Sequence, residues 1–378
     1  MAAYSFLSSL NLLRGDEVMI NLTVGPVTSY KEILDVAGRQ VPYFRTEEFS
    51  KLMLENERML LDILKAPDGS RCAFLTSSGT GGMEACVSGL LSVNDQVAII
   101  NGGTFGQRFV NLCELYSIPF VEVGCKYGEQ ITKSKLQELK DKGITALLVN
   151  MNETSSGVLY DMEMISEFCR SNSIFLIVDV ISSFLADEVD MESMSANAVI
   201  IASQKALALQ PGLSIVVMDS LAQERNSSIK TNNLYLNLSE ALINMERGQT
   251  PFTPGVSILI QLNKRLKMII EHGGVDVEIK KVKELSSYFR EKIEKYPLEL
   301  IIREPENRSN AVTAVGVRYE NAEKICETLK NKYGIWVCPN GGLLKNKVFR
   351  VGHIGDISIN DIRELLNAFD EMYVDGIL

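Results

Sequence analysis

At 378 residues, 46% of them hydrophobic, the chain can bury a large core and form a large domain with a smaller appendage. Its formal net charge of −10, with no segment dominated by Lys and Arg, argues against nucleic acid or an anionic membrane as a partner. Seven scattered cysteines without a CxxC pair fit reduced thiols rather than a disulfide framework, and two histidines, His272 and His353, cannot supply a three-histidine metal site.

Residues 1–12 lack a basic leader and a small-residue cleavage site, and no apolar stretch reaches the length of a membrane span. A soluble cytoplasmic protein is therefore expected. Residues 1–25 read as an N-terminal segment that packs with the small domain. Further on, apolar runs at Ala73–Thr76, Val97–Ile100, Phe120–Val123, Ala146–Asn150, Ile174–Asp179, Val199–Ala202 and Leu213–Met218 predict strands. Amphipathic stretches at Gly82–Ser92, Gln107–Tyr116, Lys133–Lys142 and Asp161–Asn172 predict helices between them. Apolar runs without polar alternation are buried on both faces. Strand and helix in alternation make an α/β layer with a mostly parallel sheet, so residues 26–260 read as one large domain.

The remainder, residues 261–378, reads as a small α+β domain. A helix over Ser257–His272 stops at Gly273-Gly274. A charged helix follows over Val275–Tyr296, then alternating segments at Leu300–Arg303 and Val312–Val317. A helix at Glu320–Tyr333, a strand at Lys347–Val351 and a helix at Ile359–Met372 complete it.

Three polar clusters interrupt the apolar pattern. Thr76-Ser77-Ser78-Gly79-Thr80-Gly81-Gly82 joins a strand to a helix, and its small residues leave backbone N–H groups free for an anion. A plain glycine turn with an N-cap is equally compatible with it. It is not a dinucleotide fingerprint, because Glu84 stands where a third Gly or Ala is needed. Asp179 ends an apolar strand; it either caps the next loop or faces a cationic ring nitrogen at the carboxyl edge of the sheet. Lys205 follows another apolar strand; its amine either snorkels to the surface or, with a lowered pKa, forms an imine.

At these places the chain resembles the class V aminotransferases of the alanine–glyoxylate/serine–pyruvate and 2-aminoethylphosphonate–pyruvate kind. The likeness rests on Asp179-Val-Ile-Ser-Ser, Ser203-Gln204-Lys205 and Pro211-Gly212. It extends from Leu22-Thr-Val-Gly25-Pro26 through Asn101-Gly-Gly-Thr-Phe105-Gly106-Gln107-Arg108 and Asn152-Glu153-Thr154-Ser155-Ser156-Gly157 to Phe349-Arg350-Val-Gly352. The resemblance implies a fold type I α/β enzyme that uses pyridoxal 5′-phosphate. Lys205 would carry the cofactor as a Schiff base and move a proton between Cα and C4′, and Asp179 would pair with the pyridinium nitrogen. Ser78, Gly79 and Thr80 would hold the phosphate, with Gln204 beside it. Phe105 would stack on the ring and Thr154 would approach the phenolic oxygen. Arg350 would fork onto the substrate carboxylate, with Gly25 also at the substrate.

The segment Gln249-Thr250-Pro-Phe-Thr253-Pro254 resembles one that crosses a dimer interface, so Thr253 and Thr250 would touch the partner's phosphate in a homodimer with two shared sites. The same residues also read as a helix start, with Thr253 as N-cap and Pro254 at the first position. Arg45 would approach the mouth of the site; His353 is given no role. The resemblance implies transamination between a small amino acid and a 2-oxo acid such as pyruvate or glyoxylate. A cysteine desulfurase or lyase, with Cys338 as its loop thiol, and a non-catalytic cofactor-binding protein are the alternatives.

Overall fold

The computed structural model describes residues 19–378. Most of the N-terminal segment expected to pack with the small domain lies outside the described residues. Its end, from β1 (Ile20–Asn21) to Gly25, runs along the small domain: β1 pairs in parallel with Ile335–Trp336, and the Gly352 N–H bonds to Leu22 O.

The large sheet holds β2 (Arg71–Leu75), β3 (Val97–Asn101), β4 (Phe120–Gly124) and β5 (Ala146–Asn150). A small hairpin of β6 (Asn152–Glu153) and β7 (Val158–Leu159) follows, and β8 (Phe175–Asp179), β9 (Ala198–Ala202) and β10 (Ser214–Met218) complete the sheet. Its order is β2-β10-β9-β8-β5-β3-β4. The unbroken apolar runs are explained by two cores, one on each face. Leu148, Ile177 and Ile200 enter one; Leu147, Val178 and Ile201 enter the other. Only β10 is antiparallel to its neighbours, because the short connection through Pro211-Gly212 leaves no room for a crossover.

Two local expectations are corrected. The helix predicted over Lys133–Lys142 covers only Lys133–Gln137 and then loosens into i→i+3 turns. Leu136 and Leu139 are its only buried residues, too few to hold a longer helix among charged neighbours. The helix predicted over Ser257–His272 starts one residue earlier, at Val256 with Gly255 as N-cap, so the alternative reading of Thr253 and Pro254 as its start is not borne out. A tertiary contact fixes that start: the Gly255 N–H bonds to Thr76 Oγ1 at 2.9 Å.

The helix Val256–Glu271 packs Leu259, Leu262, Leu266 and Ile269 into the large-sheet core. After Gly273-Gly274, both at positive φ, the helix Val275–Ile293 turns toward a second core. There β11 (Leu298–Leu300), β12 (Val312–Val317), β14 (Cys338–Pro339) and β15 (Val348–Gly352) form a sheet of order β11-β12-β15-β14, with β13 (Ile335–Trp336) beside it. Helices Ala322–Tyr333 and Ile359–Val374 cover it around Leu22, Leu285, Phe289, Phe349 and Phe369. Among the described residues no helix is long and apolar enough to cross a membrane.

Candidate active site

The polar clusters converge at the carboxyl edge of the large sheet. Asp179 is the last residue of β8 and lies in register with Asn150, the last of β5. Asn150 Nδ2 donates to its Oδ2 at 2.5 Å, and the Ile181 N–H donates to Oδ1 at 2.8 Å. Asp179 is only 5% exposed, and burial outweighs these two hydrogen bonds, pushing the carboxyl up to about 6.

Lys205 follows β9, the strand parallel to β8. It is 8% exposed, and its Nζ donates to Val24 O at 2.6 Å. Burial lowers the amine to about 8; the nearby Cys338 and Asp179 favour its protonation, while Arg350 and Arg108 oppose it. The acid and the amine are therefore both buried beyond the ends of neighbouring parallel strands, close enough for their charges to act on one another.

Gly25 packs against the Lys205 side chain from the N-terminal segment. Its φ is +132°, and a Cβ there would lie 2.8 Å from Lys205 Cδ and 3.1 Å from Nζ. Gly25→Ala is expected to force the lysine aside. Overpacking of this kind costs about 1–3 kcal/mol, so capture of a carbonyl compound by Lys205 should weaken on the order of tenfold or more, read by absorption titration. An unchanged titration would show that the lysine tail is free to move.

The helix Gly79–Leu90 begins directly above the two strand ends. A Cβ on Gly79 would meet Ile181 Cδ1 at 2.6 Å and Ala202 Cβ at 3.2 Å, so glycine is what lets the helix start this low. Its N-cap, Ser78, is extended and exposed, and its side chain caps nothing. The Gly81 N–H donates to Ser78 O at 2.8 Å, and the Gly79 and Thr80 N–H groups are left for an anion. Thr80 Oγ1 accepts from Arg108 Nη1 at 2.9 Å, and the Arg108 guanidinium lies 4.9 Å over the Phe105 ring.

Phe105 is held by a residue to which the sequence reading gave no role. Glu153, buried on β6, accepts the N–H groups of Phe105 and Gly106 at 3.1 and 3.0 Å and the Ser155 hydroxyl at 2.6 Å. A carboxylate at a helix N-terminus satisfies free donors and opposes the helix dipole. The only signal for it was its place in the quoted Asn152–Gly157 motif. Asn150 and Arg108 were likewise unassigned.

Thr154 Oγ1 donates to Ser182 Oγ at 2.8 Å, and its carbonyl accepts from Arg350 Nη1 at 3.1 Å. Arg350, on β15, gives Nη2 to Pro339 O at 3.1 Å, and its buried Nε has no partner. Gln204 accepts the Val27 N–H on its carbonyl at 3.3 Å, while its buried Oε1 is unpartnered. Thr250 and Thr253 lie apart from this set, in a groove with Thr76, Tyr235 and Phe252. Thr250 Oγ1 donates to Phe252 O, and the Thr250 carbonyl accepts from Arg45 Nη1 at 2.8 Å. Thr253 is exposed. His353 is fully buried against Phe289, its Nε2 2.8 Å from Thr313 Oγ1.

A buried amine, a buried acid and an open helix N-terminus thus meet at the carboxyl edge of a largely parallel sheet. Residues 29–342 match the class V aminotransferase family, and the chain belongs to it; its reaction class is amino-group transfer. It is 29% identical over 341 residues to an uncharacterized aminotransferase of Methanocaldococcus jannaschii, covering 88% of this chain and 86% of that one. It is 27% identical over 320 residues to a serine–glyoxylate aminotransferase of Hyphomicrobium methylovorum, covering 82% and 78%. In fold it matches a solved alanine–glyoxylate aminotransferase from Nostoc sp. with a TM-score of 0.89 at 24% identity, over 96% and 97% of the two chains.

Proposed function

We propose that this site binds pyridoxal 5′-phosphate at Lys205 and moves an amino group from a small amino acid, or from 2-aminoethylphosphonate, to a 2-oxo acid such as pyruvate or glyoxylate. One observation carries the reading: Lys205 and Asp179, both buried, stand at the ends of neighbouring parallel strands beneath an uncapped helix N-terminus. The residues present fit the cofactor. Ser78, Gly79 and Thr80 offer a cradle for a phosphate, and Asp179 offers a buried carboxylate for a pyridinium. Gln204 and Arg350 keep buried polar atoms without a hydrogen-bond partner among the described residues.

When bound, the cofactor supplies a conjugated ring that takes up the electron pair released at the substrate Cα. Asp179 would keep the ring nitrogen protonated, and Phe105 would cover one ring face. Thr154 would stand near the phenolic oxygen. Arg350 would fork onto the substrate carboxylate beside Gly25. Lys205, lowered by burial to about 8, would release its own proton readily, take one from the substrate Cα and return it on the other side of the transfer. The donor would leave as its oxo product, a 2-oxo acid from an amino acid or an aldehyde from 2-aminoethylphosphonate, and the incoming 2-oxo acid would leave as an amino acid.

Thr250 and Thr253 are assigned to the phosphate of a second subunit, in a homodimer with shared sites. Exposed Thr253 beside the stacked and exposed Tyr235 and Phe252, centroids 5.7 Å apart, supports such a face. A cytoplasmic enzyme is consistent with seven unpaired cysteines.

The test is to add pyridoxal 5′-phosphate to the purified protein and follow its visible band with alanine, serine, aspartate or 2-aminoethylphosphonate as donor and pyruvate or glyoxylate as acceptor. A donor-dependent change in the band and formation of a new amino acid are expected. A protein that stays colourless and inactive refutes the proposal. Sulfide release from cysteine is not expected, because Cys338 is held on β14 with Sγ accepting the Val24 N–H at 3.4 Å, rather than carried on a free loop.

A further inference from the structure

We propose that Tyr127 and Asn340 form a clasp between the two domains that positions Arg350, and thereby sets the affinity of the site for the carboxylates of both substrates. This rests on the reading of Arg350 as the carboxylate fork.

The Arg350 guanidinium is held by two backbone carbonyls from separate segments. Thr154 O belongs to the β6–β7 turn of the large domain, and Pro339 O belongs to β14 of the small one. Both contacts measure 3.1 Å. A planar fork held at two points changes its aim whenever those points move relative to one another. The free donors, including the unpartnered buried Nε, can meet a carboxylate squarely only if the two carbonyls keep their spacing.

Each carbonyl lies one residue from a member of the clasp. Ser155, next to Thr154, accepts the Tyr127 hydroxyl proton on its carbonyl. Asn340, next to Pro339, donates Nδ2 to Tyr127 Oη at 2.7 Å and to Ser155 O at 3.3 Å. The Tyr127 hydroxyl thus donates to one domain and accepts from the other. Burial raises it to about 12, so it keeps its proton throughout the working range. Past Asn340 the chain is tied to the small domain, through Asn346 and Lys347, and has little other hold on the large one. Gly342 stands at φ +56°, Leu343 is 95% exposed, and among the described residues the Asn340 amide makes the only hydrogen bonds from 340–347 to the large domain.

Tyr127 and Asn340 are positioning residues, so the readout must separate binding from chemistry. Tyr127→Phe and Asn340→Ala are measured for KM of an amino-acid donor and of the 2-oxo acid acceptor, both of which carry a carboxylate, for kcat, and for pyridoxal 5′-phosphate affinity by titration of the visible band. Each is expected to raise both KM values about tenfold, the loss of one or two hydrogen bonds, with kcat within about twofold and cofactor affinity unchanged. The double variant should be little worse than either single one, because the two residues serve one contact. Unchanged KM values, or a fall in kcat at constant KM, overturn the clasp. Arg350→Gln is the control. If it raises KM while both clasp variants do not, the carboxylate fork stands and the clasp fails. If Arg350→Gln also leaves KM unchanged, the fork itself is wrong and the clasp falls with it.

Discussion

Removing the amine at position 205 is expected to abolish turnover while making the cofactor-free protein more stable. Loss of the proton carrier alone removes on the order of 10²–10⁴ in rate, and the covalent attachment point goes with it. The gain in stability follows from burial. Lys205 is 8% exposed, has Val24 O as its one hydrogen-bond partner among the described residues, and is lowered from 10.5 to about 8. Its pKa is depressed on folding, so the unfolded chain holds the proton more tightly. The resulting cost to stability is full below about pH 8 and fades as pH rises toward 10.5. At about 1.4 kcal/mol per pH unit it is on the order of 3 kcal/mol at neutral pH. Lys205→Met is the better variant for this measurement, because it keeps the apolar stem that packs on Gly25 and avoids a cavity. Its melting temperature should exceed that of the unmodified cofactor-free protein at pH 7, and the difference should shrink at pH 10. A difference that does not change with pH would mean that the amine is solvated in the native state.

Such a lysine is legible in the sequence, because a polar residue at the end of a five-residue apolar strand has few inexpensive places to go. Most strands of the large sheet were legible for a related reason: burial on both faces leaves unbroken apolar runs, whereas the edge strand β4, broken by the exposed Glu122, shows only a short one. What resisted reading was set by contacts between distant segments. The helix after the glycine turn starts at Gly79, three residues before the predicted Gly82. Three glycines lower helix propensity there, yet Gly79 is required by the close approach of Ile181 and Ala202. Thr253-Pro254 has the composition of a helix start, but the bond from Gly255 to Thr76 places the start further on. Glu153 and Asn150 act on groups brought close only by the folded sheet, and Asn340 meets a tyrosine 213 residues away in sequence. No local pattern marks pairs of that kind.

Asp179→Asn separates the cofactor's electronic demand from the protein's own stability. The substitution is nearly isosteric. The Ile181 N–H, which now donates to Oδ1, can donate equally to an amide oxygen. Asn150 presents Nδ2 to the other carboxylate oxygen and keeps a buried Oδ1 without a partner. A flip of that amide would pair Asn150 Oδ1 with the new NH2 at residue 179 and restore the hydrogen bond. The fold therefore accommodates the change. The Asp179 carboxyl is raised from 3.8 to about 6 by burial, so its contribution to stability is full below about pH 4 and lost as pH rises through 6. At neutral pH the buried charge costs on the order of 3 kcal/mol, which asparagine does not carry. The cofactor-free variant should melt higher than the parent at pH 7 and no higher at pH 4. Turnover should fall by on the order of 10²-fold or more, because a neutral amide cannot hold a ring nitrogen in its cationic form, while Lys205 still captures the cofactor and gives a visible band. A variant that retains full activity would remove Asp179 from the chemistry and leave it as a structural cap at the end of β8.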